Sequence, residues 1–186
     1  MRWKDDRKER RIKEAVIKLM LKEGFDGTSI SKIARAAGVS PATIYIYYES
    51  KEEMLSAIYR EYSEEIFGHL LAQITPDLRG EEVIATLMRN YYSYMTEHRE
   101  VYSFIEQSST CPAFAACYSE QKSVCRIFSL IAKLKKDGSI RNYSDEALWA
   151  VIFYPVKALA GFHYNSGRRT ALLDELILMV QEALLP

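Results

Sequence analysis

The sequence predicts an all-α fold on three observations. Apolar residues recur at i, i+3, i+4, i+7 and i+8 through Ile12, Ala15, Val16, Leu19 and Met20, the spacing that gathers them on one helix face. No segment alternates apolar and polar residues in the manner of a half-buried strand. Only 8 glycines and 5 prolines punctuate the 186 residues, too few for a turn-rich sandwich, while 48% hydrophobic and 12% aromatic content supplies the material of a core.

Taken in order, the first helix covers about Asp5 to Glu23, with Gly24 as its stop. Thr28 is placed to cap a short second helix, about Ser29 to Ala37, that turns Ile30, Ile33, Ala34 and Ala37 inward and closes at Gly38. Ser40 caps a third, and Pro41 occupies a first-turn position where its missing N–H costs nothing, so this helix starts at once and runs to about Tyr47. From Ser50 a fourth helix, about 50–74, carries Met54, Leu55, Ile58, Tyr62 and Ile66 until Thr75-Pro76-Asp77 breaks it. The remainder reads as helices over about Glu81 to His98, Glu100 to Ser108, Pro112 to Lys136, Ser144 to Tyr164 and Arg168 to Leu185, with a kink or split expected at Pro155.

The net charge of zero is unevenly distributed. Met1 to Lys51 carries 12 Lys plus Arg against 7 Asp plus Glu, whereas Glu52 to Pro186 carries 13 against 18. A basic N-terminal unit on an acidic C-terminal one suggests a polyanion partner at one end, although charge alone does not separate this from ordinary surface. The spacing is more specific. Two short helices joined by Ala37-Gly38-Val39-Ser40 and braced by an amphipathic first helix form a helix-turn-helix. Gly38 can take the left-handed turn, Ala34 permits close approach, and Val39 and Ile44 supply the contact between the helices. A two-turn second helix with small residues at its exposed start can enter a DNA major groove.

The stretch from Thr28 to Lys51, TSISKIARAAGVSPATIYIYYESK, resembles the TetR-type regulator helix-turn-helix, and the match extends back to Ile12 and forward to Leu55. Where that family usually places Phe, this chain has Tyr48, which keeps the ring but adds a hydroxyl in need of a partner. The resemblance implies a three-helix DNA-binding domain at residues 1–51, followed by a helical ligand-binding and dimerisation domain at 52–186. Carried over by position, it implies phosphate contacts from Thr28, Ser40, Thr43, Tyr47 and Lys51, and base-edge contacts from Pro41, Ala42, Tyr45 and Ile46. Tyr45 and Tyr47 have a second reading as core of the small domain. Arg2, Lys4, Arg7, Lys8, Arg10 and Arg11 could extend the phosphate footprint, but they are interleaved with Asp5, Asp6 and Glu9 and read equally as a solvated helix face.

The C-terminal region has no motif, and aromatic residues are its one lead. Tyr91, Tyr94, Tyr118, Phe128, Trp149 and Phe153 are candidates for the wall of a pocket taking an apolar or aromatic, even cationic, small molecule, with ordinary core packing as the alternative for each. Glu106, Gln107, His163 and Asn165 are candidate polar anchors, with a surface or capping role as the alternative for each. The last helix is apolar too broadly for one core-facing stripe, through Ala171, Leu172, Leu173, Leu176, Ile177, Met179, Val180, Ala183 and Leu184. With Ala147 to Leu159 it fits the two-helices-per-subunit dimer interface that the resemblance implies.

An enzyme is not expected. His69, His98 and His163 are scattered, no phosphate loop or nucleophile elbow appears, and no catalytic residue, metal or cofactor is assigned. Cys111, Cys117 and Cys125 suit no disulfide framework and read as packed thiols, with a redox or metal sensor as the alternative. No apolar run is long enough to cross a bilayer and the N-terminus does not lead into a secretory signal, so a cytoplasmic location without a membrane partner is expected. The resulting expectation is a ligand-responsive DNA-binding regulator: a homodimer on a double-stranded operator, acting as a repressor and released by a small-molecule effector. The competing reading is a helical interaction or sensor module whose helix-turn-helix no longer binds DNA.

Overall fold

The computed structural model describes residues 5–109, 122–161 and 166–186, and every regular element among them is helical. In chain order these are α1 (Asp6–Gly27), α2 (Ile30–Ala37), α3 (Pro41–Tyr47), α4 (Lys51–Leu70), α5 (Gly80–Glu97), α6 (Arg99–Ser109), α7 (Lys122–Lys136), α8 (Asp145–Gly161) and α9 (Ser166–Leu184). They cluster into two compact units, one formed by the described residues up to Ser63 together with α6, the other by Glu64–His98 and the described residues beyond 121.

In the first unit, the stripe predicted on α1 is the core. Ile12, Val16 and Met20 are buried in a unit where α1 packs on α2 and α6 and α2 on α3, together with Ile33 and Ala34 of α2, Ile44 of α3, Met54, Leu55 and Ile58 of α4 and Phe104 of α6. The expected stop at Gly24 is present as a break inside α1, where φ of 71° interrupts the helical dihedrals before one more turn closes at Gly27. Lys13, only 14% exposed, is held between Glu61 (2.7 Å) of α4 and Glu9 (3.1 Å) of its own helix. Burial disfavours its charge, but the hydrogen bonds it donates to both carboxylates, and their charges, outweigh that and raise its pKa.

Two features of this unit differ from the sequence reading. Ser29, not Thr28, caps α2, its hydroxyl accepting from Lys32 N. Thr28 instead ends α1: its N–H goes to Phe25 O and its hydroxyl donates to Gly24 O at 2.7 Å, satisfying carbonyls that the break leaves without helical partners. The hydroxyl of Tyr48 is buried without a hydrogen-bond partner among the described residues.

The second unit packs α5 against α8 and α9. Val83, Ile84, Leu87 and Met88 meet a core that includes Leu148, Ile152 and Val156 of α8 and Leu173, Ile177, Val180 and Leu184 of α9, the 4-3-4 spacing of one helix face. Polar ties fix the register: Arg89 to Asp174 at 2.9 Å, and Gln181 Nε2 to Glu81 O at 2.8 Å. Glu64 caps α7 from α4, accepting from the Ser123 hydroxyl (2.6 Å) and backbone N–H. Gly80 is required because a Cβ there would lie 2.7 Å from Ser139 O.

α4 ends at Leu70, a turn earlier than its apolar spacing suggests. The Asn90 side chain donates to Leu70 O and Ala72 O, taking up carbonyls at the end of the helix, and Gln73 then turns the chain with φ of 66°. At Pro155 the expected split does not occur, since α8 runs unbroken from Asp145 to Gly161. The carbonyl left without its i+4 donor is that of Val151, on a turn that is exposed, so water can satisfy it.

The Tyr48 hydroxyl generates a stability prediction. Burial, then the nearby charges of Glu9, Glu61 and Glu53, push its pKa well above the ordinary value of 10.0. The folded state therefore keeps its proton at a pH where the unfolded chain gives it up, a contribution intact below about pH 10 and lost as pH rises beyond it. Tyr48→Phe removes an unsatisfied polar group, so it should stabilise the protein by about 1 kcal/mol at neutral pH. It should also lessen the loss of stability above about pH 10. Urea melts at pH 8 and pH 11 measure both effects.

Candidate nucleic-acid interface

The helix-turn-helix is built by three local devices. Gly38 adopts φ of 65° and ψ of 40°, and the N–H of Val39 returns to Ala34 O at 2.9 Å, closing α2 and reversing the chain. Ser40 then caps α3, its hydroxyl accepting from Thr43 N at 3.2 Å and pairing with Thr43 Oγ1 at 2.9 Å, with Pro41 in the first turn. Ile44, fully buried, anchors the helix. Pro41, Ala42, Tyr45 and Ile46 all remain exposed, Tyr45 at 55%, so core packing is not the role of Tyr45. The four residues expected to read bases thus form one outward face.

The expected phosphate residues divide into two groups. Ser40 and Thr43 lie at the N-terminus of α3, where the helix dipole favours an anion. Lys51, half-buried at the start of α4, donates to Phe25 O at 2.8 Å and lies 4.5 Å above the Phe25 ring, which uses one of three ammonium hydrogens and leaves two for a phosphate. Tyr47 is occupied differently: its hydroxyl accepts from Asp5 N (2.9 Å) and donates to Asp5 O (3.1 Å), pinning the start of α1 to the end of α3. Thr28 is 1% exposed with its hydroxyl given to Gly24 O, so its side chain presents nothing to a phosphate.

Within the N-terminal basic cluster, the structure sets Arg11 apart. It lies on the exposed side of α1 with its guanidinium 3.5 Å from where a Cβ on Gly38 would be, beside the turn. Arg10 and Lys8, by contrast, pair with Glu14 and Asp5 on their own helix. Only the folded position of Gly38 distinguishes Arg11 from its basic neighbours. Lys32 is committed to Glu23 (2.5 Å) and Gly27 O, and its hydrogen bond holds the Glu23 carboxyl below the ordinary range.

A family model described as bacterial regulatory proteins, tetR family, matches residues 12–58, the segment containing α2, the Gly38 turn, α3 and Lys51. A TetR-family transcription regulator from Marinobacter aquaeolei VT8 superposes with a TM-score of 0.81 at 25% identity, covering 99% of this chain and 98% of that one. Over residues 12–58 the chain is similar in sequence to TetR-family regulators, and along its length it shares their fold. An HTH-type transcriptional regulator of Haemophilus influenzae, itself uncharacterised, is 25% identical over 142 residues, 74% of this chain and 73% of that protein. The regulator FadR of Bacillus subtilis, in a complex with stearoyl-CoA, shares the fold with a TM-score of 0.72 at 17% identity, over 92% of this chain and 96% of its own.

Of the residues expected to contact a ligand, four form one aromatic group. Trp149 is 4.4 Å from Phe153 and stacks at 6.2 Å on Phe128, and Tyr91 meets Phe153 edge-on at 5.2 Å. Phe67 of α4 joins them at 5.9 Å from Trp149, a member that the sequence reading missed because it lies far along the chain. Tyr94 is elsewhere, buried between His69 and His98 with its hydroxyl donated to Glu65 at 3.1 Å. Of the candidate anchors, Glu106 accepts from Tyr102 at 2.9 Å and Gln107 is exposed. Tyr118, His163, Asn165, Cys111 and Cys117 lie outside the described residues. Cys125 is an exposed free thiol on α7, not a packed one. Among the described residues no cluster could hold a metal ion, and no helix is long and apolar enough to cross a membrane.

The double use of Lys51 is testable. Lys51→Ala should weaken binding to every DNA sequence and lower the log-affinity against log-salt slope by about one unit per half-site. Without DNA it should reduce stability by about 1 kcal/mol through loss of the Phe25 carbonyl partner. Fluorescence anisotropy at several salt concentrations and a thermal melt read the two effects separately.

Proposed function

We propose that the protein is a TetR-family regulator, a homodimeric repressor that grips a palindromic operator through α3 and releases it on binding a small-molecule effector. In this reading residues 1–51 bind DNA and 52–186 dimerise and sense. The observation that carries it is the outward face of Pro41, Ala42, Tyr45 and Ile46 on a short helix capped at its start and anchored by Ile44. Phosphates are held by Ser40, Thr43 and Lys51, with Arg11 added, while Tyr47 acts by positioning α1 against α3.

Dimerisation is supported by apolar surface that the chain leaves uncovered. Tyr154 of α8 and Leu178 and Met179 of α9 are each about 60% exposed. Beside them Pro155, Ala158, Leu159, Leu172, Glu175, Leu176 and Met179 line a groove of about 460 Å3. This is a second side of α9, about 100° round the helix from the Leu173, Ile177, Val180 and Leu184 stripe, and a second copy presenting the same surface would cover it. Two copies are also what DNA reading needs, because one seven-residue helix spans only a few base pairs. An effector with substantial apolar surface is supported by the aromatic content of the second unit, and the stearoyl-CoA held by FadR of Bacillus subtilis is consistent with that class.

Selection from a random DNA pool tests the reading: an inverted repeat with half-sites about one helical turn apart, or a multiple of it, should be recovered. Tyr45→Ala should change the preferred sequence. Failure to enrich any sequence at low salt would leave the interaction-module reading in its place. Light scattering should give about twice the 21.5 kDa chain mass, and Met179→Glu should shift the protein toward monomer at micromolar concentration while its helical circular dichroism is kept.

A further inference from the structure

The second unit also has an opening of ligand size away from the aromatic group. A cleft of about 350 Å3 lies between the last turn of α4, the 74–78 connection, the start of α5 and one face of α7. That volume is at the lower end of the range in which small molecules bind. Leu71, Ile74, Leu78, Val83, Leu130 and Leu134 line it, of which Ile74, Leu78 and Leu130 remain half-exposed. The residues on α7 recur at 126, 129, 130, 133 and 134, with Asp137 just past its end, so a single helix face supplies the apolar wall and both border cations.

The border is cationic on balance, with Arg126 and Lys133 against Asp137. The two cations differ. Lys133 is engaged, its ammonium 3.5 Å from Pro76 O and its charge acting on Asp137, whose carboxylate accepts from Ser139 N at 3.0 Å. Ser129 has already given its hydroxyl to Cys125 O. Arg126, two helical turns from Lys133, has no ion pair or hydrogen bond among the described residues, and its planar fork of donors suits a carboxylate. The 74–78 wall follows Gln73, the one described non-glycine residue with positive φ, a backbone conformation retained here at the edge of a cleft.

We infer that this cleft is the effector site and takes an apolar monocarboxylate, its anion on the Arg126 guanidinium and its hydrocarbon along Leu130, Leu134 and Ile74. The inference rests on the reading of the protein as an effector-released repressor, and binding and release are measured separately so that each can fail alone. Full-length protein without DNA is titrated calorimetrically with hexanoate, octanoate and decanoate, and with the matching uncharged alcohols. The carboxylates should bind with affinity rising with chain length, and each should bind about tenfold or more tightly than its alcohol. Arg126→Gln should abolish that preference while leaving alcohol binding within about twofold. Leu130→Asp should weaken both, with circular dichroism melts confirming that the variants fold. Equal affinity for acid and alcohol, no binding of either, or a preference that survives Arg126→Gln would overturn the assignment. Decanoate is then added to the protein bound to its selected DNA: release supports the site as the effector site, whereas a bound carboxylate that leaves DNA affinity unchanged refutes that role and leaves the repressor reading to its own test.

Discussion

A helix of seven residues cannot hold its own shape in water, because the cost of nucleating the first turn is recovered only over longer runs. Everything in the first unit follows from the need to hold α3 rigid while exposing four of its residues. Ser40 and Pro41 fix its start, Ile44 is the single buried anchor, and Tyr48 N–H to Ile44 O closes its end. Tyr47 and Lys51 then tie the neighbouring backbone to both ends of α1, at Asp5 and Phe25. A face of small and apolar residues contributes nothing to folding, so the stability of α3 comes from these flanking contacts.

The local part of this arrangement was legible in the sequence. The 3.6-residue spacing of Ile12 to Met20, the Gly38 turn and the Ser40-Pro41 start each express a rule that acts within a few residues, and each lies where the spacing places it. What was not legible depends on residues far apart in the chain. Thr28 caps the end of α1 because Gly24 breaks the helix there, and Tyr47 meets Asp5 across 42 positions. Asn90 ends α4 from 20 positions away, and an unbroken α8 at Pro155 depends on which side of the helix faces solvent. A side chain that can serve either a phosphate or a backbone carbonyl has the same identity in both roles, so Thr28, Tyr47 and Lys51 could not be sorted by type.

The sensing half shows the same limit more strongly. Tyr91, Phe128, Trp149 and Phe153 were gathered from composition and do meet, but they meet as ring-on-ring packing with Phe67. Tyr94 has a polar role that its ring did not suggest. The cleft beside Arg126 is lined mainly by aliphatic residues and a connection, a combination without a sequence signature, because an unpaired arginine on a helix face is ordinary until the fold places apolar walls next to it.

In the proposed complex the groove-facing set limits how DNA can be read. Pro41, Ala42 and Ile46 have no side-chain hydrogen-bonding group, so only Tyr45 can address the donor and acceptor pattern of a base edge, and the others are restricted to thymine methyls and groove shape. Affinity must then come mainly from phosphates, through Ser40, Thr43, Lys51 and Arg11, and that part is the same for every sequence. A single unit with this chemistry would bind firmly but discriminate poorly. Discrimination improves when two such units must fit simultaneously, since the energy of each weak base contact is then counted twice and the spacing itself becomes a criterion. The uncovered stripe of α8 and α9 therefore bears on specificity as much as on assembly. An effector need not touch the reading helix to release DNA; it need only favour a spacing of the two helices that no longer fits two grooves at once.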